Sequence, residues 1–215
     1  MKEEVVLKYT ISALLIVLAI ATGYGCGSSI PLQKGAAASD VNRPAKLTAP
    51  PLNYGKPLLS LIGKEPLDKA NITLKIEKSK YLLTILYSGE PIKAYPVVFG
   101  KDPVNDKQRE GDSRTPEGDF ALTRLYPHKD WTKFMMLNYP TPDSWRKFGE
   151  NKSAKRIRSD ATIGSAIGIH GVPAGHDDAV ESRQNWTLGC ISLKTADIEE
   201  VYSVCRCGTK VQIVH

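Results

Sequence analysis

Only one pairing among the four histidines and four cysteines of this 215-residue chain stands in a setting suited to catalysis. His170 ends the run Ile163-Gly-Ser-Ala-Ile-Gly-Ile, and Cys190 follows Thr187-Leu188-Gly189 and precedes Ile191-Ser192. The thiolate is the attacking form of cysteine, so a nucleophilic Cys190 needs a nearby base and a local field that favours ionisation. His170 can be that base if its tautomer is fixed. A backbone carbonyl accepting from Nδ1–H would leave Nε2 to face sulfur. The Gly-Cys turn adds backbone N–H groups that can point at a developing oxyanion. The plainer alternative, a buried structural cysteine and an incidental histidine, stands beside this reading at this point. His176-Asp177-Asp178 fits no common zinc spacing, so no metal site is expected and those residues are read as capping or polarising their loop. Cys205 and Cys207 are one residue apart, too close for an unstrained bond, and Cys205 is expected to be buried.

The elements that must hold these groups are mostly strands. Ile72, Leu74 and Ile76 alternate with polar residues, and Tyr81 to Tyr87 and Ile92 to Phe99 follow after short turns, which predicts a meander. Thr115-Pro116-Glu117-Gly118 suits a type I turn before a strand at Phe120 to Tyr126. Residues 138 to 160 read as a polar loop bearing Arg146, Lys147, Lys152, Lys155, Arg156 and Arg158. As a strand, Ile163 to His170 would put Gly164, Ala166, Gly168 and His170 on one nearly bare face, open to a substrate or to another backbone. Thr195 is the expected N-cap of a helix over about 196–204, with Ile198, Val201, Tyr202 and Cys205 at helical spacing and Gly208 to end it. Val211 and Ile213 then alternate in a last strand. The sum is a mainly β domain over 70–215, a curved sandwich or barrel-like sheet with few short helices. It has no βαβ alternation and no dinucleotide fingerprint.

The rest of the chain concerns address. Residues 9–25 are uncharged and mostly apolar, and 1–26 read as a signal peptide or lipoprotein leader. Cys26 is a candidate lipid acceptor, although Gly23 stands where lipoproteins usually carry leucine; an uncleaved N-terminal anchor is the alternative. Residues 27–69 form a Pro- and Ala-rich linker. Each version exports the chain to the periplasm or cell envelope, with the N-terminus as a membrane tether in some. Twenty-nine Lys and Arg against 23 Asp and Glu give +6, compatible with an anionic wall or nucleic acid and also ordinary at this size. The composition excludes a coiled coil, a collagen, a wholly disordered chain and a multi-span membrane protein.

His170-Gly171, the interval to Trp186, and Thr187-Leu188-Gly189-Cys190-Ile191-Ser192 together resemble the YkuD-type L,D-transpeptidases of bacterial cell walls. Upstream, Tyr95 to Gly100, Gly111-Asp112 and Thr115 to Phe120 match further family segments, so the resemblance spans about 72–214. Leu188 and Ser192 depart from the frequent histidine and Asn or Arg of the family. The resemblance implies that Cys190 attacks a tetrapeptide stem at the L-centre of its third residue and releases D-alanine. His170 would be the base, the Gly171 carbonyl its orienter, and the Gly189 and Cys190 amides the oxyanion hole. The partners implied are peptidoglycan stem peptides and an amine acceptor on a second stem or a wall-attached protein; no cofactor and no nucleic acid is called for. Water as acceptor would make a carboxypeptidase. Trp186, Thr187, Ser192 and Arg183 are candidate substrate contacts, and a basic lid over 146–158 could meet stem carboxylates. Sortases need a longer His-to-Cys interval, and papain-like peptidases reverse the order. A wall-binding module with a dead site is the non-enzymatic alternative.

Overall fold

The computed structural model describes residues 49–63 and 66–215. The leader, Cys26 and the first part of the linker lie outside the described residues. Strand β1 (Ile72–Glu77) buries Ile72, Leu74 and Ile76, and β2 (Leu82–Tyr87) buries Leu83, Ile85 and Tyr87, in antiparallel register with Leu74 opposite Ile85. β3 (Glu90–Pro96) completes the meander the alternation predicts. β4 (Gly118–His128), β5 (Thr132–Leu137), β6 (Gly168–Gly171), β7 (Ile191–Leu193) and β8 (Lys210–Val214) complete one sheet in the order β3-β2-β1-β8-β4-β5-β6-β7. The pairings are antiparallel except β1 with β8 and β6 with β7.

This sheet curls until its ends meet. Beyond β3, Val98 and Ser192 of β7 exchange backbone hydrogen bonds of 2.9 and 2.8 Å. Inside the curl lie Leu74, Ile76, Leu83, Ile85, Val97, Val98, Phe99, Ile169 and Ile191, all fully buried. Helix α4, in order the fourth after α1 (Leu58–Ile62), α2 (Pro142–Ser153) and α3 (Asp178–Glu181), spans Thr195–Val204 and buries Ile198, Val201 and Val204. The fold is therefore mainly β, a mixed eight-stranded half-barrel with few short helices.

Three local expectations change. Residues 163–167 are not strand: Gly164 at φ 78° and Ala166 at φ 58° turn the chain, and extended pairing starts only at Gly168. Residues 142–153 are helix, not loop. Thr141 caps it by accepting from Ser144 N, Pro142 occupies the first turn, and Phe148 and Asn151 are buried. Arg146 is paired with Asp143 and Glu150 and Lys147 with Asp106, and no residue of 146–158 is among those lining the cleft of His170 and Cys190. At α4 the cap residue is Lys194, which makes no side-chain cap bond, and Thr195 is already inside the helix. The Thr195 amide is satisfied instead by Asp177 Oδ1 at 2.8 Å.

Part of the proline-rich span also packs on the domain. Tyr54 Oη donates to Asp197 at 2.9 Å and Leu58 N to Glu200 at 2.6 Å; Lys93 and Tyr95 donate to the same Glu200 carboxylate. Burial pushes the Asp197 carboxyl up to about 6. Among the described residues, no helix is long and apolar enough to cross a membrane.

Candidate active site

The two candidate catalytic residues come to one cleft because β6 and β7 run parallel side by side. His170 lies opposite Ser192 and Ile169 opposite Ile191. Cys190 precedes Ser192 by two, so strand alternation puts its sulfur on the same face as the imidazole, one step along. Both line one cleft of about 550 Å³ with Lys107, Trp131, Ala166 and Trp186.

His170 is held from several sides. Its Nδ1 is 2.8 Å from the Gly171 carbonyl oxygen. A carbonyl can only accept, so Nδ1 carries the proton and Nε2 of the neutral ring keeps its lone pair. Trp131 stacks on the ring at 4.4 Å and Phe134 at 5.6 Å, while Trp186 meets it edge-on at 5.5 Å. Burial at 2% exposure is the main reason its pKa falls to about 4; the Gly171 bond works in the opposite direction. The bare face before His170 has a use other than admitting substrate. A Cβ at Gly168 would run into the Phe134 ring, and one at Gly171 would stand 2.8 Å from the Trp131 carbonyl oxygen. The glycines make room for the aromatic groups that clamp the His170 imidazole.

Cys190 stands in a braced turn. Thr187 Oγ1 donates to the Cys190 carbonyl at 2.7 Å and accepts from Gly189 N at 3.2 Å. Gly189 has φ 139°, and a Cβ there would lie 2.7 Å from the Arg114 carbonyl oxygen, so glycine is required on both counts. The Cys190 amide has no acceptor among the described residues, whereas the Gly189 amide is engaged by Thr187. The thiol itself lies 3.7 Å from the Ala166 carbonyl. Desolvation raises its pKa, against the opposing pull of the Gly168 amide and Lys107. At neutral pH the resting pair is thus an uncharged thiol beside an uncharged imidazole.

The opposite wall is organised by Asp112, of the Gly111-Asp112 segment. It accepts from Lys107 Nζ at 2.9 Å and from the amides of Gln108, Arg109 and Arg114 at 2.7, 2.9 and 3.0 Å. Burial pushes this carboxyl up, but those donors outweigh it and hold it below the usual carboxylate range. The same loop supplies the Arg114 carbonyl that presses on Gly189.

Of the four candidate substrate contacts, Trp186 and Thr187 line the cleft. Ser192 is fully buried beneath it, with no hydrogen-bond partner for Oγ among the described residues. Arg183 lines a different cavity with Tyr54, Tyr81 and Lys194. Lys107, Trp131 and Phe134 are the site residues that the sequence patterns did not single out. The signal for the aromatic pair was the bare strand itself, since a row of missing side chains next to a buried imidazole needs large neighbours to fill it. Among the described residues no three His, Cys, Asp or Glu side chains gather in a way that could hold a metal ion.

No curated protein sequence matches the chain. Solved structures similar in fold include the helical cell shape determining protein Pgp2 from Campylobacter jejuni, at 22% identity and TM-score 0.48 over 66% of this chain and 46% of that one. Bd1075 of Bdellovibrio bacteriovorus is 21% identical with TM-score 0.48 over 67% of this chain and 48% of that one. An L,D-transpeptidase from Mycobacterium tuberculosis H37Rv is 13% identical with TM-score 0.45, over 67% and 58%. The chain spans about half the length of the first two. The YkuD family, the L,D-transpeptidase catalytic domain, matches residues 71–213, from the start of the sheet into its last strand and across every residue that lines the cleft. The chain belongs to that family.

Proposed function

We propose that the domain is a cysteine acyltransferase acting on peptidoglycan stem peptides in the cell envelope, with Cys190 as nucleophile and His170 as base. The observation that carries this is the fixed tautomer. The Gly171 carbonyl occupies Nδ1–H, so the open lone pair of His170 belongs to Nε2, in the cleft that also holds Cys190.

The Cys190 sulfur attacks the amide carbonyl between the third stem residue and D-alanine while Nε2 takes the thiol proton. A sulfur–carbon bond forms and the carbonyl oxygen takes the negative charge, facing the unengaged Cys190 amide. The Gly189 amide can join if its 3.2 Å bond to Thr187 yields. The carbon–nitrogen bond then breaks, and His170 delivers its proton to the leaving amine. An acceptor amine attacks the thioester, loses a proton to His170, and expels the Cys190 thiolate, which recovers a proton. The product is a new amide cross-link.

The test is incubation of the full chain with a disaccharide tetrapeptide, following D-alanine release and products by mass spectrometry. Release with a cross-linked dimer is expected, and Cys190→Ala and His170→Ala should each abolish it while circular dichroism stays native. Release by Cys190→Ala near the parent rate would overturn the nucleophile. A tripeptide with no dimer would overturn the amine acceptor in favour of water.

A further inference from the structure

His128 has no part in the chemistry proposed above, yet an indole ties it to His170. Across β4, β5 and β6, Tyr126, Phe134 and His170 stand in one register row, with neighbouring ring centres 5.5 and 5.6 Å apart. His128 lies two residues beyond Tyr126, on the same face of β4. Because β5 runs between their strands, the backbones at His128 and His170 are at least two strand spacings apart, roughly 10 Å. The Trp131 indole fills that interval. Its centre is 4.3 Å from that of the His128 ring and 4.4 Å from that of His170, at interplanar angles of 10° and 25°. Two imidazoles from strands so far apart, each stacked on one indole, cover its opposite faces.

The backbone places the indole there at a cost. Trp131 is the last residue of the turn between His128 and Thr132, which are paired across the hairpin. Thr132 is left-handed at φ 61°, a conformation that disfavours a β-branched residue and that glycine adopts freely. The ring of His128 closes the same turn, with Nδ1 accepting from the Asp130 amide at 3.2 Å. That bond explains why the position carries histidine rather than a purely apolar ring. The Trp131 carbonyl accepts from Lys133 N at 2.6 Å and from Gly171 N at 3.1 Å. Gly171 is also the residue whose carbonyl holds His170 Nδ1. The hairpin tip therefore reaches His170 by two routes, ring against ring and through the backbone of Gly171.

We propose that His128 is a positioning residue for His170 and acts through Trp131. Its ring backs the far face of the indole, so the indole cannot tilt away from the imidazole. The imidazole then keeps the rotamer that holds Nδ1 on the Gly171 carbonyl and leaves Nε2 in the Cys190 cleft. The value of this for catalysis rests on the reading of His170 as base, whereas the stack itself belongs to the resting protein.

The test follows ring N–H signals of the full chain by 1H–15N NMR at neutral pH, with His170→Phe to assign the His170 Nδ1–H. His128→Ala bares one face of the indole; it should speed solvent exchange of that proton at least about tenfold and slow acylation of Cys190 by a carbapenem about tenfold. His128→Phe keeps a ring on the indole and should hold both within about twofold of wild type. His128→Asn keeps an acceptor for the Asp130 amide but no ring, and should behave as alanine does. Unchanged exchange in His128→Ala, no rescue by phenylalanine, or rescue by asparagine would each overturn the proposal, the last because the turn and not the stack would then hold the imidazole. Equal acceleration at the amides of β1 and β2 would mean a general loosening and overturn it too. Faster exchange with unaltered acylation would overturn the role in catalysis. If His128→Ala does not fold, the phenylalanine and asparagine variants carry the same contrast. Exchange is read without turnover, so a wild-type chain that failed to acylate would refute the acyl-transfer reading and leave exchange to decide this one.

Discussion

His170→Phe should flatten the acid dependence of stability, and by an amount that the burial of the ring sets. The imidazole is 2% exposed between Trp131 and Phe134, and its pKa falls from 6.5 to about 4. Above pH 6.5 both the folded and unfolded forms carry a neutral ring, and the ring's contribution is fully present. As pH falls from 6.5 toward 4 the unfolded chain takes up a proton that the folded one refuses, so stability declines through that window and the loss is complete below about 4. At 1.36 kcal/mol per pH unit the loss comes to about 3 kcal/mol. Phenylalanine has no proton to take up. It also leaves the Gly171 carbonyl without its donor, but that cost is the same at every pH and cancels from the slope. Asp197, whose carboxyl is raised to about 6, titrates in both proteins and cancels too. Urea unfolding followed by tryptophan fluorescence at pH 7, 6, 5 and 4 measures the difference. Wild type should lose about 3 kcal/mol more than His170→Phe from pH 7 to 4, a midpoint difference of about 1.5 M urea for a domain of this size. A difference under about 1 kcal/mol would mean that the buried ring is readily protonated in place, and the argument from burial would fail.

Thr187→Val keeps the shape of a buried side chain but removes the bonds to the Cys190 carbonyl and the Gly189 amide; it should cost about 1–3 kcal/mol of stability and slow acylation of Cys190 by a carbapenem about tenfold, with Thr187→Ser restoring both as read by melting and intact mass. Asp177→Asn should leave D-alanine release within about tenfold of the parent, because Asp177 caps α4 at Thr195 and asparagine caps as well. A carboxylate that held the base would lose about 10⁴-fold in the serine-protease precedent, so a drop of that size would refute the Gly171 carbonyl as orienter.

Legibility in the sequence followed the range over which the responsible forces act. β1 and β2 were plain because each alternates over one buried face, and a short turn joins them to β3, whose Lys93 to Pro96 are buried without alternation, so the pattern of the meander is local. β5 was not, because Phe134 and Met135 are buried on consecutive positions, one against the imidazole and one in the sheet core, and this breaks the period of two. Helix α2 carried its own signal in Thr141-Pro142-Asp143, masked by a surface so charged that only Phe148 and Asn151 of its span are buried. The stretch from Ile163 to Ile167 had the alternation of a strand but contains Gly164 and Ala166 in left-handed geometry, which periodicity cannot register. The pairing of His170 with Cys190 was legible through the family resemblance, whereas its physical cause, the parallel joint of β6 and β7, is a long-range contact that no local pattern announces. Arg183 shows the limit most clearly. Its charge and position suited a stem carboxylate, and only the fold reveals that it faces another cavity.

The burial that clamps His170 also sets how the proposed chemistry must start. A lowered pKa on the base and a raised one on the thiol both oppose a resting thiolate–imidazolium pair. Proton transfer before substrate binds is therefore uphill, and the sulfur waits against the Ala166 carbonyl. What turns the balance is the place where charge finally settles. Once a substrate carbonyl lies at the open Cys190 amide, negative charge leaving sulfur passes to an oxygen that has a donor ready, while the proton reaches an Nε2 already aimed by the bond at Nδ1. Proton transfer and bond formation then assist each other, and neither ion needs to exist alone in the apolar pocket. The same arrangement protects the thiol between turnovers, because a neutral sulfur is a poor nucleophile toward incidental electrophiles. A clamp of Trp131, Phe134 and Trp186 thus disfavours a preformed ion pair and keeps His170, in its proposed role as base, unprotonated down to acid pH.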